Sequence, residues 1–176
     1  MFCKQDRVEA IQKCARCHTQ NSKYLKMNIE QAMNFALERA RMAEYSSNDI
    51  PVGAIVLDAD GNLIATGHNQ RESQKDPTAH AEIIAMRSAS KTLGNWRLEN
   101  CTLVVTLEPC AMCAGAILQA RIKRVVFGTW DEKAGACGSR WDLLRDGRSL
   151  HKVEVVTEVL LDECAELLKN FFSRKR

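Results

Sequence analysis

The stretch LVVTLEPCAMCAGAILQA, residues 103–120, decides the fold. Leu103 to Thr106 form a short apolar run of the kind a buried strand needs, and from about Cys110 to Ala120 small and apolar residues read as a helix. Val125 to Phe127 returns as another apolar run, so strand, helix and strand alternate. That alternation is the pattern of an α/β domain.

Upstream, Asp76, Pro77 or Thr78 opens a helix that runs to about Thr92, before Gly94. A polar loop from Asn69 to Asp76 precedes it. Before that loop, Val52 to Leu57 and Leu63 to Thr66 flank the turn residues Asp58-Ala59-Asp60-Gly61, which predicts a hairpin. Ile29, Met33, Ala36, Ala40 and Ala43 recur at helical spacing behind an Asn28 cap, with Gln31 three residues on. Downstream, the spacing predicts a glycine-rich loop over Gly128 to Gly138, a short helix around Trp141 to Leu144, a strand at Val153 to Val156 and a helix from Leu161. Five strands interleaved with helices predict a three-layer α/β/α sandwich around one mixed sheet.

Residues 1–26 lack a clean period and carry six basic against two acidic groups, although the whole chain of 176 residues has a formal charge of only +3. They read as an N-terminal extension, flexible or preceding the native start, and 27–176 read as the domain. The remaining 150 residues are close to neutral, so total charge identifies no partner. No run approaches the eighteen or so apolar residues of a membrane span, and no signal peptide's apolar core is present, which places the protein in the cytoplasm with no membrane partner. In a reducing compartment, eight cysteines point to metal binding or burial before disulfides.

Two of these pairs of features carry chemistry together. His80-Ala81-Glu82 lies at one helix start, and Pro109-Cys110-Ala111-Met112-Cys113 lies where a strand meets another helix. Cysteines three apart share a helix face and can both reach a zinc ion at about 2.3 Å, while an imidazole supplies a third bond at about 2.0 Å. Three protein ligands leave one tetrahedral position for water, the mark of a catalytic zinc. Glu82, two residues past the histidine, is placed to move protons instead of binding metal. A Cys-x-x-Cys alone is commonly a buried pair or a redox motif, and a lone His-x-Glu is usually surface; their combination at two helix starts is what points to one zinc per chain.

His-x-Glu followed by Pro-Cys-x-x-Cys is the signature of zinc-dependent nucleobase deaminases. Beyond it, Ile50-Pro51-Val52-Gly53-Ala54, Asp76-Pro77-Thr78-Ala79-His80-Ala81-Glu82, Thr106-Leu107-Glu108-Pro109-Cys110, Met112-Cys113-Ala114-Gly115-Ala116 and Arg124-Val125-Val126-Phe127-Gly128 resemble the bacterial tRNA-specific adenosine deaminases, over roughly residues 28–176. The resemblance implies a cytidine deaminase-type fold, a homodimer, and conversion of the wobble adenosine of a tRNA anticodon to inosine. It implies that Glu82 takes a proton from zinc-activated water that attacks C6 of the flipped adenine, then returns protons to N1 and the departing ammonia. It also assigns Asn69 to the base, and Asp131 to the ribose and backbone beside it. Trp130 stands where the family carries smaller or basic residues, and an aromatic there could stack a splayed base.

Other features have plainer readings. Cys14-Ala15-Arg16-Cys17-His18 spells a haem-attachment pattern, but no export signal precedes it and no haem-sized helical domain surrounds it, so no haem is expected. Cys101, Cys137 and Cys164 have no partner at ligand spacing and read as buried thiols. At least one of Phe171 and Phe172 reads as core. Arg121, Lys123, Arg124 and the terminal Arg174, Lys175 and Arg176 are solvated charges or phosphate contacts. Two other functions remain open: a deaminase of a free base or nucleoside such as guanine or cytosine, and a non-catalytic RNA-binding zinc module, which requires a fourth protein ligand.

Overall fold

The computed structural model describes residues 26–149 and 151–175. The haem-like motif, Arg176 and all but the last residue of the expected extension lie outside them. The described chain begins at Lys26, which bridges to Asn62, and Met27 donates its N–H to Gly61 O at 2.9 Å. Helix α1 spans Ile29–Ser47, the hairpin β1 Gly53–Leu57 and β2 Leu63–His68, and a single helical turn, α2, Arg71–Gln74. Helix α3 is Ala81–Leu93, β3 Thr102–Leu107, α4 Ala111–Gln119, β4 Arg124–Thr129, β5 Glu154–Val156 and α5 Leu161–Ser173.

The five strands form one sheet in the order β2-β1-β3-β4-β5. β1 is antiparallel to β2 and to β3, whereas β3, β4 and β5 run parallel, so the sheet is mixed as expected. Side-chain alternation divides the core in two. Ala54, Val56, Leu103, Val105, Val125 and Phe127 face α3 and α4, while Ile55, Leu57, Val104 and Val126 face α1 and α5. The sheet is thus covered on both faces, which is why its strands read as continuous apolar runs.

Two glycines set how closely the layers meet. A Cβ on Gly53 would collide with the backbone of Ala36 and Ala40 in α1, and one on Gly67 with that of Ala81 and Ala85 in α3. Gly67 therefore lets the first turn of α3, with Glu82 on it, lie directly on β2. In the hairpin turn, the Asp58 carboxylate accepts from the Asp60 and Asn62 N–H groups at 2.9 Å.

Three local expectations are corrected. α3 begins at Ala81 and not at Asp76 to Thr78, because the Asp76 carboxylate accepts from both the N–H and the hydroxyl of Thr78 at 2.7 Å, holding that segment as a turn. His80 is consequently the extended N-cap residue, not part of the first turn. The loop from Asn69 to Asp76 contains the helical turn α2. Trp141 to Leu144 is not a helix: Cys137 bridges to Asp142, and Gly138 donates to Trp141 O at 2.8 Å, so the segment folds back on its own loop.

Phe171 is buried and Phe172 is exposed, their rings meeting edge to face. Arg174 pairs with Glu44, and Lys175 donates to Asn48 O at 3.1 Å, so both fasten α5 to the end of α1. Arg124 pairs with Glu154 across the β4–β5 edge. Among the described residues no helix is long and apolar enough to cross a membrane.

Candidate metal centre and catalytic cavity

The C-terminal ends of β3 and β4 open onto one cavity of about 170 Å³, and the start of α3 enters it from the side. His80, Asn69, Glu82, Cys110 and Asp131 all line it, so five of the six residues singled out from the sequence share one space; the sixth, Cys113, lies one helical turn beyond Cys110.

The His80 Nδ1 stands 3.7 Å from the Cys110 Sγ and 3.7 Å from the Cys113 Sγ, and the three donor atoms all lie within 4.8 Å of one another. Two ligands bound to one tetrahedral zinc at about 2.3 Å and 2.05 Å would be about 3.6 Å apart, so the donor set fits the ion with little movement. Among the described residues no fourth cysteine, histidine or carboxylate joins the group. That is the donor set of an open site and not of a closed structural one.

The thiols show what a cation contributes. The Cys113 thiol and the His80 ring hold Cys110 as a thiolate, its pKa lowered to about 4 against the penalty of burial, and the Cys113 N–H at the open end of α4 adds to this. Cys113 shifts the opposite way, because it shares its proton with Cys110 and is buried beside that charge and Glu82. A zinc ion held here would take both sulfurs as thiolates. The hydrogen bond with Cys110 also raises the proton affinity of His80.

Glu82 is buried, and burial raises its carboxyl above the usual range; its side chain also hydrogen-bonds with Cys113. It is thus next to the donor group without belonging to it. Asn69 is buried, and its Oδ1 accepts from the Ala81 N–H at 3.0 Å, which caps α3 from outside the helix. That bond fixes the flip of the amide, so its NH2 is the group left for a ligand.

Glu108, to which the sequence assigns no role beyond its motif, organises the far wall. Almost fully buried, it accepts from the N–H groups of Asp131 at 3.0 Å, Cys137 at 2.8 Å and Ser139 at 3.1 Å. The loop after β4 is thereby folded over the cavity, and no side chain fits at Gly135, where a Cβ would strike the Glu108 carboxylate. A charged residue ending an apolar strand was the available signal. Asp131 accepts on Oδ1 from the Lys133 and Ala134 N–H groups at 3.0 and 3.2 Å.

Trp130 is half-buried and held at two points. Its ring meets Phe127 edge-on at 4.8 Å, and its Nε1 donates to Glu158 at 2.9 Å. It lines a second groove of about 550 Å³ that shares Ile50, Leu107 and Asp131 with the cavity and continues to Phe172. Cys101, Cys137 and Cys164 are buried as expected; burial pushes the thiols of Cys101 and Cys164 up to about 11 and about 12, and that of Cys137 likewise upward.

The profile of the cytidine and deoxycytidylate deaminase zinc-binding region matches residues 26–129. The tRNA-specific adenosine deaminase of Haemophilus influenzae is 52% identical over 147 residues, 84% of each chain, and that of Bacillus subtilis is 44% identical over 82% of this chain and 88% of its own. Among solved structures, a tRNA:A34 deaminase studied for A-to-I editing at the wobble position is 40% identical with a TM-score of 0.74, covering 78% of this chain and 98% of that one. A guanine deaminase from Nitrosomonas europaea is 25% identical with a TM-score of 0.73, covering 85% and 86%.

Proposed function

We propose, since this chain belongs to the tRNA-specific adenosine deaminase family within the cytidine and deoxycytidylate deaminase zinc-binding group, that it converts adenosine 34 of a tRNA anticodon to inosine by hydrolysis. The observation that carries the chemistry is a buried carboxyl, Glu82, beside but outside a three-donor metal group in one small cavity. His80, Cys110 and Cys113 would hold the zinc. When bound, zinc supplies a water of lowered pKa.

Glu82 receives a proton from the attacking water, and its burial keeps it able to hold that proton in a dry site. It delivers that proton to N1 of the ring as the C6–O bond forms and the C6–N1 double bond opens. It then takes the proton of the new C6 hydroxyl and passes it to the amine, the C6–N bond breaks, and the products are inosine and ammonia. Asn69 offers its NH2 to an acceptor on the base, its other end being held by Ala81. The Asp131 oxygen not engaged by the Lys133 and Ala134 N–H groups receives a ribose hydroxyl. Ile50, Val52 and Leu107 give the cavity apolar walls that exclude bulk water around the base.

The same reading includes RNA binding, a cytoplasmic location, a deaminase unit over residues 27–176, and a homodimer. For the dimer, the apolar groove between α3 and α4, lined by Ile83, Met86 and Ala116 and edged by exposed Trp96, is the face we assign to the second copy.

The test is to incubate the zinc-loaded protein with an adenosine-34 anticodon stem-loop and, separately, with guanine. Inosine in the RNA is expected. Xanthine from guanine with no inosine from RNA would move the chain to the free-base reading.

A further inference from the structure

Arg71 is the only lysine or arginine among the described residues that line the catalytic cavity. The same lining holds three carboxyl groups, those of Glu82, Glu108 and Asp131. An RNA strand whose target base enters the cavity brings phosphates to this rim, and phosphate beside carboxylates needs a cation close by. We propose that Arg71 is a substrate-contacting residue that binds an RNA phosphate beside the target nucleotide, with Asp49 as the residue that positions it. The proposal rests on the RNA-deaminase reading above.

The guanidinium is available for such a contact. Its ion pair is with the adjacent Glu72 at 3.8 Å, where the two side chains are 37% and 65% exposed. An exposed pair at that distance contributes little and is readily exchanged for the charge-assisted, two-pronged contact that a guanidinium makes with phosphate.

The backbone beneath it, by contrast, is fastened. A four-residue helix such as α2 cannot stabilise itself, since helix nucleation costs more than its few bonds return. Asp49, 1% exposed, holds it from outside: one carboxylate oxygen accepts from the Glu72 N–H at 3.0 Å and the other from the Ile50 N–H at 2.9 Å. Gln70 donates to Ala79 O at 3.0 Å, and Arg71 O accepts from Asp76 at 3.2 Å. Asp49 therefore ties the lip that carries Arg71 to the segment that carries Ile50, and both residues line the cavity. An exposed charged tip on a fixed base suits a flexible, single-stranded ligand.

The experiment measures binding of the zinc-loaded full chain to the adenosine-34 stem-loop by fluorescence anisotropy over a range of salt. Arg71→Ala is expected to weaken binding about tenfold and to flatten the slope of log affinity against log salt by about 0.7, the share of one single-strand phosphate. Arg71→Lys should recover most of the slope, while Arg71→Gln, of similar length and no charge, should not. Lys123→Ala removes the same charge before β4, about 20 Å away by strand length, and should leave the slope unchanged. An unchanged slope in Arg71→Ala and Arg71→Gln overturns the assignment, as does an equal change in Lys123→Ala. Inosine is assayed on the same wild-type samples: RNA binding with the expected slopes but no inosine overturns the deaminase reading alone, and a wild-type protein that does not bind the stem-loop overturns both.

Discussion

At the start of α1, the Asn28 side chain accepts from the Gln31 N–H at 2.8 Å, and the Gln31 side chain accepts in return from the Asn28 N–H at 3.0 Å. At the starts of α3 and α4, the N-cap residues are His80 and Cys110, and neither makes a side-chain capping bond. Their side chains point at one another instead. α1 satisfies its own end from local sequence. α3 has its first N–H satisfied by Asn69, from a different segment, and α4 turns the positive end of its dipole toward a thiolate. The helix end that stabilises only itself belongs to the scaffold, and the two ends whose cap residues are diverted make the site.

The comparison breaks most completely at Cys110. Cys110→Ala should lose zinc, lose activity and lower the melting temperature together, because metal affinity is coupled to the folded site. Elemental analysis and a thermal scan on one preparation check this; full zinc occupancy would remove Cys110 from the ligand set. Glu82→Ala should keep about one zinc per chain and lose turnover by roughly 10²–10⁴-fold, the usual size of a positioned proton carrier. Loss of zinc in step with activity would mean that Glu82 is a ligand.

Asn69→Ala sharpens the comparison, because Asn69 serves both sides of it. Its loss should lower kcat/KM on stem-loop RNA by about 1–3 kcal/mol of transition-state binding and cost stability of about 1 kcal/mol through the uncapped Ala81 N–H. A stability loss with unaltered kcat/KM would leave Asn69 a cap and nothing more. Asn28→Ala should show the smallest change, about 1 kcal/mol of stability with zinc content and kcat/KM intact. Any loss of zinc in that variant would contradict the division between the two kinds of helix end.

Much of this was legible in the chain. The capping box of α1 was readable because Asn28 and Gln31 are three residues apart and satisfy each other. The strands were readable because a sheet covered on both faces makes each one a run of apolar residues, as in Leu103 to Thr106. The metal group was readable because two cysteines on one helical turn and a His-x-Glu at another helix start carry their chemistry in their spacing. The start of α3 was misplaced because Asp76, Pro77 and Thr78 are all good helix openers, and only the local bonds of Asp76 show that they close a turn. Trp141 to Leu144 is not the helix that its composition allows, because the Trp141 and Leu143 N–H groups bond to Gly135 and Ala136, six and seven residues back, in place of the carbonyls four residues back.

The sequence by itself determined the alternation of strand and helix, the residue types of the three metal donors and the carboxyl next to them, since each motif rests on spacing within a few residues. Only the tertiary structure decided that Asn69 caps the helix behind His80, that Glu108 folds the loop after β4 over the cavity, and that Arg71 stands at the cavity rim on a lip held by Asp49. These roles join residues 12 to 31 positions apart. They follow from where buried N–H groups find acceptors once the layers have packed, and no local propensity encodes that.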